Sequence, residues 1–228
     1  MKVIILAAGM GKRLGQKIPK ALVNIFQNKT ILDYQIERIT KKIGIENIVI
    51  VVGYKKQEII SKYQNLNFVE NKKFEITNTS KSLLKGLKNV DEDVIWMNGD
   101  VYFQEEALDL VMEMNSSCCL VDNKKCGDEE VKFNLEGKKI NEISKNIKNP
   151  IGEVLGINKI QKKDLSLFRE ELEKVKNEDY FEKAIENLIK KNKIEFYPIN
   201  IKDFFCVEID YQKDLEIVRK HIILNDQV

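Results

Sequence analysis

Apolar positions along the chain follow two alternating rhythms. Unbroken, largely β-branched runs at residues 3–7, 48–52, 67–70 and 94–97 read as short strands buried on both faces. Between the first two, Leu32, Ile36, Ile39 and Ile43 recur at helical spacing. Thr30 before them, with Asp33 three residues on, predicts an N-cap with a capping box. Strand, helix and strand in this order predict a parallel sheet covered by helices.

After Asp100 the rhythm changes. Leu108, Val111 and Met112 predict a helix, residues 117–121, 131–135 and 140–144 predict strands, and Glu136-Gly137 predicts a hairpin turn between the last two. Residues 154–160 and 204–209 read as further strands, and residues 163–175 and 180–190 as helices. A last helix carries Leu215 and Val218. The sheet is therefore expected to become mixed. With no repeat, linker or low-complexity tract, residues 1–228 read as a single α/β domain.

Charge narrows the function classes. Lysine and arginine number 38 against 36 aspartate and glutamate, so there is no field of the size that binds nucleic acid or an acidic membrane. The first apolar run breaks at Gly9, too early for a signal peptide, and no later run has the length of a membrane span. A cytoplasmic protein is expected. Cys118, Cys119, Cys126 and Cys206 contain no C-x-x-C pair, and neighbours on a strand point to opposite faces. They read as reduced structural thiols. His221, the single histidine, reads as a solvated residue of the last helix, which argues against histidine catalysis.

Candidate chemistry begins directly after the first strand. In Leu6-Ala7-Ala8-Gly9-Met10-Gly11-Lys12-Arg13-Leu14, small residues let a ligand approach backbone N–H groups that can hold phosphate oxygens. A dinucleotide fingerprint needs a third glycine where Leu14 stands, and the P-loop pattern is absent. Arg13 is the arginine placed in a loop, since Arg38, Arg169 and Arg219 fall in amphipathic helices. It is followed by Lys20 in Pro19-Lys20-Ala21-Leu22. Arginine offers a planar fork to phosphate and lysine a mobile point charge. Together they predict phosphate binding over a solvated glycine turn.

Two hydrophobic runs end in aspartate: Val94 to Asp100, through Asn98-Gly99, and Phe204 to Asp210. In open α/β sheets ligands gather beyond the carboxyl ends of the strands. Magnesium takes hard oxygen ligands, often one or two carboxylates completed by phosphate and water, so Asp100 and Asp210 are candidate ligands for Mg2+. Alternatively Asp100 is a turn residue and Asp210 the N-cap of the last helix. Residues 77–82 read as a loop entering a helix carrying Leu83, Leu84 and Leu87, with Thr79 or Ser80 as a candidate cap.

The glycine loop with Pro19-Lys20-Ala21-Leu22 resembles the signature of the sugar-phosphate nucleotidyltransferase superfamily. Within it the chain resembles the small cytidylyltransferases that act on phosphocholine or phosphoglutamine, over residues 1–219. The resemblance implies a Rossmann-like mixed, mostly parallel sheet with helices on both faces. It also implies CTP over the N-terminal half and a small phosphorylated acceptor over the C-terminal half, in a monomer or homodimer. Arg13 and Lys20 would be catalytic, and Leu6, Ala7, Ala8, Gly9, Gly11, Lys12 and Gly99 would line the nucleotide. Thr77, Asn78 and Ser82 match the segment that reads the pyrimidine base, and Glu153 and Tyr180 would face the acceptor. A phosphate monoester is largely dianionic at neutral pH, so attack on the α-phosphorus needs no general base. Phosphoglutamine is the acceptor expected first; the alternatives are transfer to phosphocholine, transfer to a sugar phosphate and a non-catalytic nucleotide sensor.

Overall fold

The computed structural model describes residues 1–11, 14–15, 18–202 and 204–225. Its first half runs β1 (Lys2–Ala7), a small hairpin of β2 (Asn24–Phe26) and β3 (Lys29–Thr30), α1 (Ile31–Ile43), β4 (Ile48–Val52), α2 (Lys56–Lys62), β5 (Asn67–Glu70), α3 (Thr79–Gly86) and β6 (Val94–Asn98). The second half runs β7 (Val101–Phe103), α4 (Glu105–Glu113), β8 (Cys118–Asp122), β9 (Lys132–Glu136), β10 (Lys139–Ser144), β11 (Gly152–Ile160), α5 (Lys162–Lys174), α6 (Phe181–Lys190), β12 (Tyr197–Asn200), β13 (Cys206–Glu208) and α7 (Gln212–Asn225).

The main sheet has the order β10-β9-β11-β6-β1-β4-β5, with β8 also paired to β11 and β12 to β8. From β6 through β1 and β4 to β5 every pairing is parallel. β11 turns the sheet antiparallel against β6, β8 and β9. It is buried along its whole length, pairs with β9 at Gly152 and Glu153 and with β6 from Ile157 to Ile160, and has a register shift against β8 between Val154 and Asn158.

Alternation along the strands divides the core. Ile4, Leu6, Val51 and Trp96 pack under α3, α5 and α6, with Leu83, Phe168, Phe181 and Ile185. Val3, Ile5, Ile50 and Met97 pack under α1, α2 and α4, with Leu32, Ile39, Ile59 and Leu108. Helices thus cover both faces, as expected. Cys119 belongs to the first face and Cys118 to the second. α1 starts as its sequence implies: Thr30 accepts from the Asp33 N–H, and the Asp33 side chain accepts from the Thr30 N–H. Such a cap contributes about 1 kcal/mol.

Four features differ from expectation. The 204–209 run is a strand only over β13, and it pairs with β7 rather than with the main sheet. β12 and α2 carry too few apolar residues to stand out in sequence. α3 begins at Thr79 with Asn78 as its N-cap, so the predicted 77–82 loop is mostly helix. His221 is half-buried, with its ring stacked on Phe205 at 3.8 Å between centroids; it is not a solvated residue. No helix among the described residues is long and apolar enough to cross a membrane.

Candidate active site

Three distant segments meet at the carboxyl edge of β1 and β6. The Gly99 N–H donates to the Leu6 carbonyl at 2.9 Å, tying the turn after β6 onto the end of β1. A Cβ at Gly99 would lie 2.9 Å from that same oxygen, so the close approach requires glycine. In the β7–β13 ribbon Glu208 stands opposite Val101, and the Ile209 N–H donates to the Asp100 carbonyl at 2.9 Å. The ribbon thereby sets Asp210 beside Asp100. Fully buried Gln35 donates through Nε2 to the carbonyls of Asn98 and Val101, at 2.9 and 2.8 Å. Its amide grips both sides of the Gly99-Asp100 turn.

Lys20 starts a short 3-10 turn, Lys20–Leu22, whose neighbours Pro19 and Ala21 are buried. Its Nζ lies 2.7 Å from Asp100 Oδ2 and 2.6 Å from Asp210 Oδ1. Gly11, in the left-handed region at φ +58°, makes room for it: a Cβ there would come within 2.9 Å of Lys20 Cβ. Burial alone would push the Lys20 pKa down. The charges of Asp100 and Asp210 and their hydrogen bonds outweigh burial and leave it above the ordinary lysine value.

Asp210 does not serve as the helix cap, the alternative open in sequence. Asp214 Oδ2 accepts from the N–H groups of Asp210 and Tyr211, at 3.0 and 2.7 Å. The other oxygen of Asp100, Oδ1, is buried without a hydrogen-bond partner. Two carboxylates that reach one point, with one oxygen unspent, fit a hard divalent cation completed by phosphate and water. Among the described residues no group of three histidine, cysteine or acidic side chains forms a fuller metal cage.

Around this centre lie two joined cavities. The first, about 280 Å³, is lined by Leu6, Ala7, Gly9, Gly11, Lys20, Ala21 and Gly99 with the two aspartates. Ala8 is buried behind it, its carbonyl accepting from the Tyr54 N–H. The second, about 370 Å³, shares Leu6, Gly9, Asp100 and Asp210 and continues to Glu153, Tyr180, Glu182 and Glu208. Both predicted acceptor residues are therefore on its wall. Glu153 pairs with Lys124 at 2.7 Å, and burial raises its pKa against the pull of that lysine. Tyr180 carries Lys145 over its ring at 4.5 Å. Glu208 accepts from Asn98 Nδ2 at 3.2 Å, and burial together with the charges of Asp100 and Asp210 pushes its pKa up to about 8.

The predicted base-reading residues are spent on internal bonds. Asn78 caps α3 through its Oδ1 and donates from Nδ2 to the Glu178 carbonyl. Thr77 donates to the Lys73 carbonyl, and the hydroxyls of Thr77 and Ser82 both accept from Asn71 Nδ2. From this segment it is Thr79 that lines the second cavity. Lys12 and Arg13 lie outside the described residues.

Glu182 is the residue that sequence reading missed. It stands in the first turn of α6, where an acid ordinarily complements the helix dipole in water, yet it is 9% exposed and its Oε2 has no partner. The available signal is its company: Phe181, Ala184, Ile185 and Leu188 are the buried face of that helix. Burial raises its pKa from 4.5 to about 7, with Lys145 pulling the other way. A carboxyl with a raised folded-state pKa contributes stability that is full below the unfolded value and is lost as pH rises through the folded one. We expect the protein to lose on the order of 3 kcal/mol from this group between pH 4.5 and about 7. Glu182→Gln should flatten that part of the profile in urea unfolding at stepped pH. An unchanged slope would show that Glu182 ionises freely.

Fold and site together define a nucleotide-handling α/β domain, with a glycine turn, a lysine and paired carboxylates at the carboxyl edge of a parallel sheet. A family model described as the MobA-like NTP transferase domain matches residues 3–128, and the chain belongs to that family. It is 28% identical over 208 residues to the bifunctional protein GlmU of Methanocaldococcus jannaschii, covering 88% of this chain and 50% of the relative. It is 32% identical over 139 residues to the CTP:phosphoglutamine cytidylyltransferase of Campylobacter jejuni, covering 55% of this chain and 54% of the relative. The chain thus spans about half the length of the curated relatives it matches first. The solved CTP:phosphocholine cytidylyltransferase from Streptococcus pneumoniae superposes with a TM-score of 0.78 at 21% identity, covering 97% of this chain and 98% of the other. That likeness establishes the Rossmann-like nucleotidyltransferase fold.

Proposed function

We propose that the protein transfers the cytidylyl group of CTP to a small phosphorylated acceptor with release of pyrophosphate, and that the acceptor is a phosphorylated amino acid, phosphoglutamine first. The observation that carries the reading is Lys20 held between Asp100 and Asp210, where a glycine-lined cleft joins a second cavity. An acceptor phosphate in the second cavity would face the α-phosphate of a nucleotide in the first, and one phosphate oxygen would displace pyrophosphate in line. Lys20 would bridge the α-phosphate and the acceptor phosphate, and Arg13 with the Gly9 and Gly11 N–H groups would hold the leaving phosphates. Bound on Asp100 and Asp210, magnesium supplies neutralisation of triphosphate charge. Of the segment expected to read the base, Thr79 is the candidate that its position on the cavity wall supports, since the N–H and carbonyl of Asn78 are both engaged within the fold.

The acceptor reading is supported by the charges of the second cavity. Glu153 and Lys124 form an adjacent anion and cation, the pair that an amino-acid head group requires. A quaternary ammonium is best held by open aromatic faces. Trp96 is buried against Phe168 and Phe181, and the Tyr180 ring already carries a cation, Lys145, 4.5 Å from its centroid. We expect kcat/KM with CTP to be higher for phosphoglutamine than for phosphocholine by about tenfold or more, the scale of one lost charge-assisted contact. A preference for phosphocholine would overturn the acceptor assignment and leave cytidylyl transfer standing.

A further inference from the structure

Lys20 occupies the point where a divalent cation would bind. Its ammonium touches one oxygen of Asp100 and one of Asp210 at hydrogen-bonding distance, with the side chain 12% exposed. A magnesium ion shared by the same carboxylates would sit about 2.1 Å from their oxygens. The ammonium and the ion are therefore mutually exclusive in this arrangement. Asp100 Oδ1, buried and without a partner, is an acceptor that Lys20 leaves unused. A singly charged ammonium thus fills part of a site with ligand capacity to spare.

Something must draw Lys20 out before the ion enters, and a triphosphate is suited to do so. The first cavity is lined by Gly9, Gly11 and Lys20 next to both aspartates, so phosphates there offer the ammonium new anionic partners a short swing away. Lys20 lies on a long flexible stem beside Gly11, where the absence of a Cβ leaves room. We infer that Lys20 acts as an internal cation that keeps the divalent-ion position closed until nucleotide phosphates attract it, so that ion and nucleotide bind as a coupled pair. This rests on the proposed roles of Asp100 and Asp210. By linkage, the nucleotide must then raise the affinity for the ion by the same factor as the ion raises that for the nucleotide.

The test is Mn2+ binding followed by electron paramagnetic resonance, without nucleotide, in the wild-type chain, Lys20→Met and Lys20→Gln. Removing the resident charge should tighten nucleotide-free Mn2+ binding by about tenfold to a hundredfold, the range for a close charge pair. Lys20→Gln keeps a donor between the carboxylates, so a parallel gain there shows that charge rather than local unfolding is responsible. Equal Mn2+ affinity in all three proteins would overturn the inference while leaving the proposed reaction intact. A further arm adds Asp100→Asn to the Lys20→Met background, where the gain should vanish. If it persists, the ion binds elsewhere and both the inference and the metal assignment fail.

Discussion

Lys20→Ala should lower turnover by about two to three orders of magnitude, the scale seen when a preorganised donor to transition-state charge is removed. Lys20 is positioned for this role by the 3-10 turn, by buried Pro19 and Ala21, and by the space that Gly11 provides. Alanine keeps the turn and loses the charge. In the ligand-free protein it also leaves Asp100 and Asp210 facing each other beside Glu208, so modest destabilisation without divalent ions is expected and should be reversed by adding them. The measurement is steady-state pyrophosphate release at saturating nucleotide and acceptor, with circular dichroism to verify the fold. Turnover within a few-fold of wild type would remove Lys20 from the chemistry.

Asp100→Asn and Asp210→Asn should each reduce magnesium-dependent transfer by about a thousandfold or more, several kcal/mol of lost charge stabilisation. An amide keeps the size of the carboxylate and one acceptor oxygen, replaces the other with an NH2 donor, and gives up the charge that attracts the ion. The substitutions should be mild for folding. Asp210 does not cap α7, because Asp214 accepts the local N–H groups, and the Asp100 turn is held independently by Gln35 and by the Gly99 contact to Leu6. Variants that unfold at lower temperature yet keep full activity would mean that both aspartates serve structure alone.

Local rhythm made the parallel half of the fold legible. Residues 3–7 and 48–52 are apolar throughout because both faces of β1 and β4 are covered, and the capping box at Thr30 is written in four residues. The meeting of Asp100 with the glycine turn was also within reach, since β1 and β6 end at one edge of the sheet; Asp210 was expected there for the same reason, but β13 is not a strand of that sheet. The β7–β13 ribbon was not within reach. Each of its strands is three residues long, and its partners lie about a hundred positions apart, so no local pattern announces the pairing that sets Asp210 beside Asp100.

Polar residues on buried faces formed the second gap. Gln35 falls three residues after Leu32 and four before Ile39 on the stripe that α1 buries. A glutamine there signals a required partner, but not that the partners are the carbonyls around Asp100. Asn78, Thr79 and Ser80 offer competing caps in succession. Which one closes α3 is decided by tertiary bonds, from Asn78 to the Glu178 carbonyl and from Ser80 to the Asp179 carbonyl.

The central claim is nucleotidyl transfer, and its most direct test follows CTP labelled at the α-phosphorus. The chain is incubated with magnesium and, separately, with phosphoglutamine, phosphocholine, aminoethylphosphonate and a sugar 1-phosphate. Transfer predicts that label moves into a new diester with at least one acceptor, that one pyrophosphate appears per label transferred, and that both stop when the acceptor or the magnesium is withheld. Label that stays in bound, unchanged CTP with every acceptor, and with each of the other nucleoside triphosphates in its place, would contradict the account and identify a nucleotide-binding protein without transferase chemistry.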